Sequence, residues 1–376
     1  MGFMNKLVSS ILIGLSTVAQ AQSAKEIMYV GTYSVRGSEG IYVFEFNRQN
    51  GTIQPVQSVS NAKSPSFLAL HPSGKYLYSV NEGADKLGGV SSYAVDKATG
   101  KLQFLNGQSS LGGGPCYISI DQTGKTAFVA NYGGGSLTVL PVNADGTLSA
   151  PADSVQDVGT GPNAQRQERA HVHSATISPD NRFVYVADLS TDKLNIFDID
   201  TKTSTVKPAS TPYASVKPGS GPRHSAFHPN GKYVYLVEEL TSSVAVFSRN
   251  AKTGALTLIE DTVKTLPADF TGQNTSADIH IDPSGKFLYQ SNRGANTLAI
   301  FAIGNDGKLT KVGDQSTEGK TPCNFLIDPK GDFIFVANQD TDNITIFKRD
   351  QKTGKLTYTG QSVNVPSPVC VIMASR

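Results

Sequence analysis

The chain has 376 residues, with 33 Lys and Arg against 31 Asp and Glu, a formal charge of +2. That balance argues against a nucleic-acid partner, which selects a basic excess on one face. Hydrophobic residues at 38% and charged residues at 17% place the chain outside the disordered and multi-span membrane classes, while 36 Gly and 19 Pro predict many turns.

The N-terminus reads as a secretory signal peptide over residues 1–21. Lys6 is followed by an apolar run from Leu7 to Leu15, and Ala19 and Ala21 stand at the minus-three and minus-one positions of a cleavage site. The run is too short to span a bilayer comfortably, so no stable membrane insertion is expected after cleavage and the mature chain is expected to be periplasmic or secreted. Cys116, Cys323 and Cys370 are too few, and too widely spaced, for a disulfide framework.

The rest, residues 22–376, reads as a single domain built from one repeated unit. A hydrophobic strand runs into a turn of the Pro-x-Gly-Lys type, then into an aromatic and β-branched strand. The phrase is HPSGKYLYSV at His71, DQTGKTAFVA at Asp121, SPDNRFVYVA at Ser178, HPNGKYVYLV at His228, DPSGKFLYQS at Asp282 and DPKGDFIFVA at Asp328. Its turn residues Gly74, Gly124, Asn181, Gly231, Gly285 and Gly331 are 50, 57, 50, 54 and 46 residues apart. A second turn, at Gly51, Gly100, Gly146, Ser204, Gly254, Gly307 and Gly354, precedes a further strand and occurs seven times. Four short antiparallel strands at a period of about 50 residues describe a propeller blade. The prediction is an all-β, seven-bladed propeller. Its closing blade takes an innermost strand from Pro366–Met373 and its next two strands from the N-terminal IMYVGTYS and GIYVFEF, which removes the open edges of a linear array.

Two columns of the aligned repeats break the copying. After the residue that opens each innermost strand stand Ser66, Cys116, His173, Arg223, Ala277, Cys323 and Val369; at the end of each second strand stand Glu82, Tyr132, Leu189, Glu239, Arg293, Gln339 and Tyr33. In an antiparallel pair these positions are neighbours, so Arg223 should meet Glu239, with Glu82, His173 and Arg293 converging from other blades. Guanidinium and carboxylate groups together suit a small anionic or polar ligand. The alternative for the Arg223–Glu239 pair is a structural tie between strands. His171 and His173 form a His-x-His pair that would need a third ligand to hold a metal. Asn131 and Tyr132 open a Gly-rich stretch that lacks the Lys-Ser/Thr of a phosphate loop and reads as a loop at the channel mouth. A Cys116 nucleophile would need His173 as its base.

The phrases GPRHSAFHPNGKYVYLVEEL (221–240), AHVHSATISPDNRFVYVADL (170–189) and PCNFLIDPKGDFIFVANQDTDNITIF (322–347) resemble the lactonase-type seven-bladed propellers, which include propeller 6-phosphogluconolactonases and fungal carboxymuconate-lactonising enzymes. The resemblance covers nearly all of residues 27–374. It implies a lactone-handling pocket at the channel mouth, with its His, two Arg and Glu falling on His173, Arg223, Arg293 and Glu239. Cys323 stands where the family phrase usually carries Arg. The activity implied is hydrolysis of a sugar-type lactone. Arg223 and Arg293 would bind the carbonyl oxygen or an anionic substituent and stabilise the oxyanion, Glu239 or His173 would activate water, and Arg293, His171, Glu82, Tyr132, Asn131 and Gln339 would contact the substrate. No cofactor or metal is implied, and the partner is the small-molecule lactone. The alternatives are cycloisomerisation of an unsaturated dicarboxylate and non-catalytic binding of a sugar or protein by an exported propeller.

Overall fold

The repeats fold as seven four-stranded antiparallel sheets, and the two chain ends share one of them. A computed structural model describes residues 26–83 and 88–374; the segment read as a leader lies outside them. In the closing blade the last strand, Pro368–Ala374, pairs with the first, Glu26–Thr32, with Met28 opposite Met373 and Val30 opposite Val371. Blades one to six follow in chain order, with innermost strands Leu68–Leu70, Pro115–Ile120, Val172–Ile177, Pro222–Phe227, Thr275–Ile281 and Pro322–Ile327. Each packs against the innermost strands of both neighbouring sheets, and those of blades six and one both meet Pro368–Ala374. The ring is therefore closed. No helix among the described residues is long and apolar enough to cross a membrane.

Both turn series adopt the backbone their residues favour. Every turn position named above is left-handed, from φ 53° at Ser204 and 57° at Asn181 to 83° at Gly146 and Gly307. Gly tolerates that region without a Cβ clash, and Asn is the side chain that most often replaces it there. Asp121, Asp282 and Asp328 close the first turn by accepting backbone N–H groups four and five residues ahead, as in Lys125 and Thr126 to Asp121 Oδ1 at 2.7 and 2.8 Å. In blade two the outer strand departs from the repeat. An isolated bridge joins Val142 to Leu148 and pairing resumes only at Asp153–Gln156, beyond Pro151, which has no N–H to donate to a ladder.

The aromatic alternation of the second strands does not mark one buried and one wet face. In Tyr233–Glu238 every residue after the first is buried, because a neighbouring blade covers each side of the sheet. The core is accordingly seven wedges, one between each pair of adjacent blades. Between blades four and five, for example, Tyr235, Val237, Val244 and Val246 meet Ile279, Leu288, Ala299 and Phe301. The outer strands are far more exposed, as in Leu256–Lys264.

A buried tyrosine locks several wedges. Its hydroxyl donates to the carbonyl of the second-turn glycine in the next blade: Tyr29 to Gly100 at 3.0 Å, Tyr185 to Gly254 at 2.6 Å, Tyr235 to Gly307 at 2.8 Å and Tyr289 to Gly354 at 2.6 Å. Blades two and six carry Phe128 and Phe335 at the equivalent position, so the ring alone fills the space. Tyr235→Phe should therefore keep the fold and lose about 1 kcal/mol of stability, with the Gly307 carbonyl left unpaired; urea unfolding of the two proteins measures it.

Candidate functional site at the channel mouth

The first of the two irregular columns owes its reach to a backbone device. In blades two to six and the closing blade, the pairing of the innermost strand with the second strand slips by at least one residue, between Pro115 and Tyr117, Val172 and Ser174, Pro222 and Ser225, Ser276 and Ile279, Pro322 and Asn324, and opposite Gly31 and Thr32. The residues in those bulges are Cys116, His173, Arg223, Ala277, Cys323 and Val369. A bulge leaves its extra residue outside the ladder and re-aims its side chain. Here five of the six bulged side chains, with Ser66 of blade one, face a cavity of about 240 Å³. From the second column Tyr33, Glu82, Tyr132, Glu239 and Arg293 line it too.

Glu239 organises one wall. Arg223 Nε and Arg293 Nη2 each lie 3.0 Å from its Oε2, and Arg166 Nη2 donates to its Oε1 at 2.6 Å. Glu239 is almost fully buried. Burial alone would raise its pKa, but the charges of Arg293, Arg223 and Arg166 outweigh burial and hold it at about 2. Arg223 is buried as well and reaches across the channel: Nη1 donates to the Ala277 carbonyl at 2.7 Å and Nη2 lies 3.9 Å from Cys323 Sγ. The same Nη1 is 3.4 and 3.3 Å from the two nitrogens of His224, near-equidistant, which sets it over the imidazole face. His224 is held as a neutral ring, its pKa lowered to about 4 by burial and by Arg223, while its Nδ1 is anchored on Asp278 at 2.8 Å. Among the described residues Arg293 Nε has no hydrogen-bond partner, so the arginine wall keeps buried donor capacity.

Two further groups, His173 and Cys116, are uncharged near neutral pH. Burial, with Arg223 and His224 nearby, lowers the His173 pKa well below the usual imidazole range. Burial and the Glu82 charge push the Cys116 thiol up, so its contact with His173 Nδ1 at 3.7 Å joins two neutral groups and gives no thiolate nucleophile. Tyr132 stacks on His171 with ring centroids 4.3 Å apart and meets His173 edge-on at 5.3 Å. Among the described residues no group of three His, Cys, Asp or Glu side chains is placed to hold a metal ion.

Six of the nine residues singled out from the sequence, Glu82, Tyr132, His173, Arg223, Glu239 and Arg293, line one cavity. Three do not. His171 lies behind Tyr132, bonded to its carbonyl at 2.9 Å and to Glu168 at 3.1 Å, because the bulge at His173 breaks the strand spacing that would put both imidazoles on one face. Asn131 is fully buried inside blade two, where its amide ties Ser110, Ser136 and Thr138 together. Gln339 stays outside the cavity, its carbonyl taken by Arg36 from the closing blade. Arg166 was not anticipated. It sits between the outer strand of blade two and the innermost strand of blade three, on a segment pinned by the buried Gln167 side chain, which donates to Leu189 O and Asp192 at 2.8 and 3.0 Å. The signal for it is the 57-residue interval between Gly124 and Asn181, the longest of the series.

The family model for lactonases of the seven-bladed β-propeller type matches residues 27–373. The chain belongs to that lactonase propeller family. It is 38% identical over 348 residues to a 6-phosphogluconolactonase of Bacillus subtilis (strain 168), covering 92% of this chain and 98% of that one. A protein of Formosa agariphila named 6-phosphogluconolactonase is 37% identical over 350 residues, covering 90% and 96%. The solved structure of a periplasmic gluconolactonase from Pseudomonas aeruginosa superposes with a TM-score of 0.87 at 33% identity, covering 94% of this chain and 99% of that one.

Removing the Glu239 charge would leave three arginines facing one another. Glu239→Gln should lower stability by about 3 kcal/mol at pH 7, the scale for breaking a buried ion pair. Because the folded pKa is depressed, the carboxylate's contribution is full above the ordinary carboxyl range and fades as pH falls toward 2. The variant should therefore lose less stability than the wild type between pH 5 and 2, measured by urea midpoints across that range.

Proposed function

We propose that the protein is an exported hydrolase that opens a sugar-type lactone by attack of water at the channel mouth. The observation that carries this reading is the charge of the cavity: three guanidinium groups converge on one carboxylate, so positive charge is in excess on that wall. Lactone opening passes through a tetrahedral oxyanion, and preformed cationic donors in a water-poor pocket stabilise such a charge more than they stabilise the neutral ester. Arg223 and Arg293 fill that role, with Arg166 closing over the sugar hydroxyls from the mouth. Glu239 fixes the arginines. A carboxylate held at about 2 is a weak base, so the water-activating role expected for Glu239 gives way to an anchoring one. His173, kept neutral, is suited to accept a hydrogen bond from the substrate or from water.

The names of the relatives, 6-phosphogluconolactonase and periplasmic gluconolactonase, support the lactone class. The residues 1–21 pattern and the periplasmic relative support export. The excess of arginine also suits an unsaturated dicarboxylate, so cycloisomerisation is the second reading.

A panel decides between them. Acid release should be seen with gluconolactone-type substrates and be faster, through a lower KM, with those carrying a carboxylate or phosphate. Arg166→Ala should raise KM roughly tenfold, about 1.4 kcal/mol, with a smaller effect on kcat, because its half-exposed side chain meets the substrate at the rim. Conversion of a carboxymuconate-type dicarboxylate without any lactone hydrolysis would favour the second reading, and binding without turnover would favour a non-catalytic module. For export, N-terminal sequencing of protein recovered outside the cytoplasm should begin at Gln22.

A further inference from the structure

We propose that Glu82, on the wall facing Arg223, is the general base that activates water for lactone opening. The assignment rests on the lactonase reading above.

The geometry separates the two carboxylates of the cavity. Glu239 is engaged by three arginines, whereas Glu82 makes no ion pair among the described residues. It ends the second strand of blade one, its backbone N–H bonded to the Ser64 carbonyl at 3.0 Å, and its side chain lines the cavity. Ser66 donates its hydroxyl to Glu82 Oε2, and the Tyr33 hydroxyl of the closing blade bonds the same carboxyl group. Two hydroxyl donors fix its orientation without neutralising it. The other titratable groups facing it are the Cys116 thiol of blade two and the Arg223 guanidinium of blade four, while the stem of Lys63 packs beside Gly83. Burial lifts the Glu82 carboxyl to about 7 against the opposing pull of Ser66, Arg223 and Tyr33. A carboxyl near neutrality is matched to accept a proton and return it within one turnover.

A lactone whose carbonyl oxygen points to Arg223 and Arg293 leaves its carbonyl carbon open on the Glu82 side. Glu82 takes a proton from water as the water oxygen bonds to that carbon and the carbonyl π pair moves onto oxygen. The tetrahedral centre then collapses, the bond from carbon to the ring oxygen breaks, and the proton on Glu82 passes to the departing alkoxide. The product is the hydroxy acid, which ionises to release one proton to solvent. No co-reactant is needed.

The test is the pH dependence of kcat on the best lactone of the panel, for wild type, Glu82→Gln and Ser66→Ala, with thermal unfolding as the check on folding. Wild type should rise along a single limb with a midpoint near pH 7. Glu82→Gln should lose about 100-fold or more in kcat, keep KM within about threefold, and lose the limb. Ser66→Ala removes a donor to the carboxylate and should move the limb upward by roughly half a pH unit. An active wild type whose limb and rate survive in Glu82→Gln overturns the role of Glu82 and leaves the lactonase reading standing. If Glu82→Gln does not fold, a limb unmoved in Ser66→Ala overturns it instead. A wild type that opens no lactone overturns the lactonase reading, and the base assignment with it.

Discussion

Everything in this molecule depends on the antiparallel pairing of Pro368–Ala374 with Glu26–Thr32. Without it the six complete repeats would form an open arc with an unpaired strand at one end, and an unpaired strand is both a thermodynamic cost and an aggregation hazard. With it, each of seven apolar wedges is covered on both sides, including the two that flank the closing blade. The same closure has a chemical consequence. Tyr33 lies in the closing blade, Glu82 in blade one, Arg223 and Glu239 in blade four and Arg293 in blade five, and only a ring sets them around one cavity.

Within the cavity two carboxylates of the same type are driven to opposite behaviour by their surroundings. Glu239 is deeply buried, and an isolated carboxylate there would protonate; three guanidinium groups reverse that and hold it ionised at about 2. Glu82 has hydroxyl partners instead, which only partly offset burial and leave it at about 7. Such a divergence leaves one acid ionised at all ordinary pH and the other able to exchange a proton near neutrality. Arg223 is in turn oriented by its neighbours. His224, fixed by Asp278, holds its ring against Arg223 Nη1, and Asp278 also bonds His280 and Asn324. That network ties blades four, five and six together beside the arginine wall.

The two irregular columns of the repeat were legible because a scaffold that repeats seven times has no structural reason to vary at one place. Charge variety at Arg223, Glu239, Arg293 and Glu82 therefore pointed to the cavity. What failed at His171 was the assumption of regular strand spacing. The bulge at His173 separates the two imidazoles, and a bulge is a one-residue slip between strands that leaves no mark on periodicity within a strand. Asn131 and Gln339 failed for a related reason. Each stands at or beside the end of a second strand, but one turns into its own blade to satisfy buried hydroxyls and the other has its backbone carbonyl held by Arg36 of the adjacent closing blade. Arg166 belongs to no repeat, so column comparison could not reach it, although the long interval between blades two and three marked where extra chain had to go.

The sequence by itself determined the blade count, the turn positions, the shared closing blade and the chemical character of the mouth. Each of these follows from local rules, namely turn residues that accept a left-handed backbone, strand-forming runs and a period of about 50 residues. Only the tertiary structure decided which carboxylate is neutralised and which is left near neutrality. That choice depends on burial and on charges brought in from two different blades and an inserted segment, and electrostatic environment is a property of distances in space rather than of order along the chain.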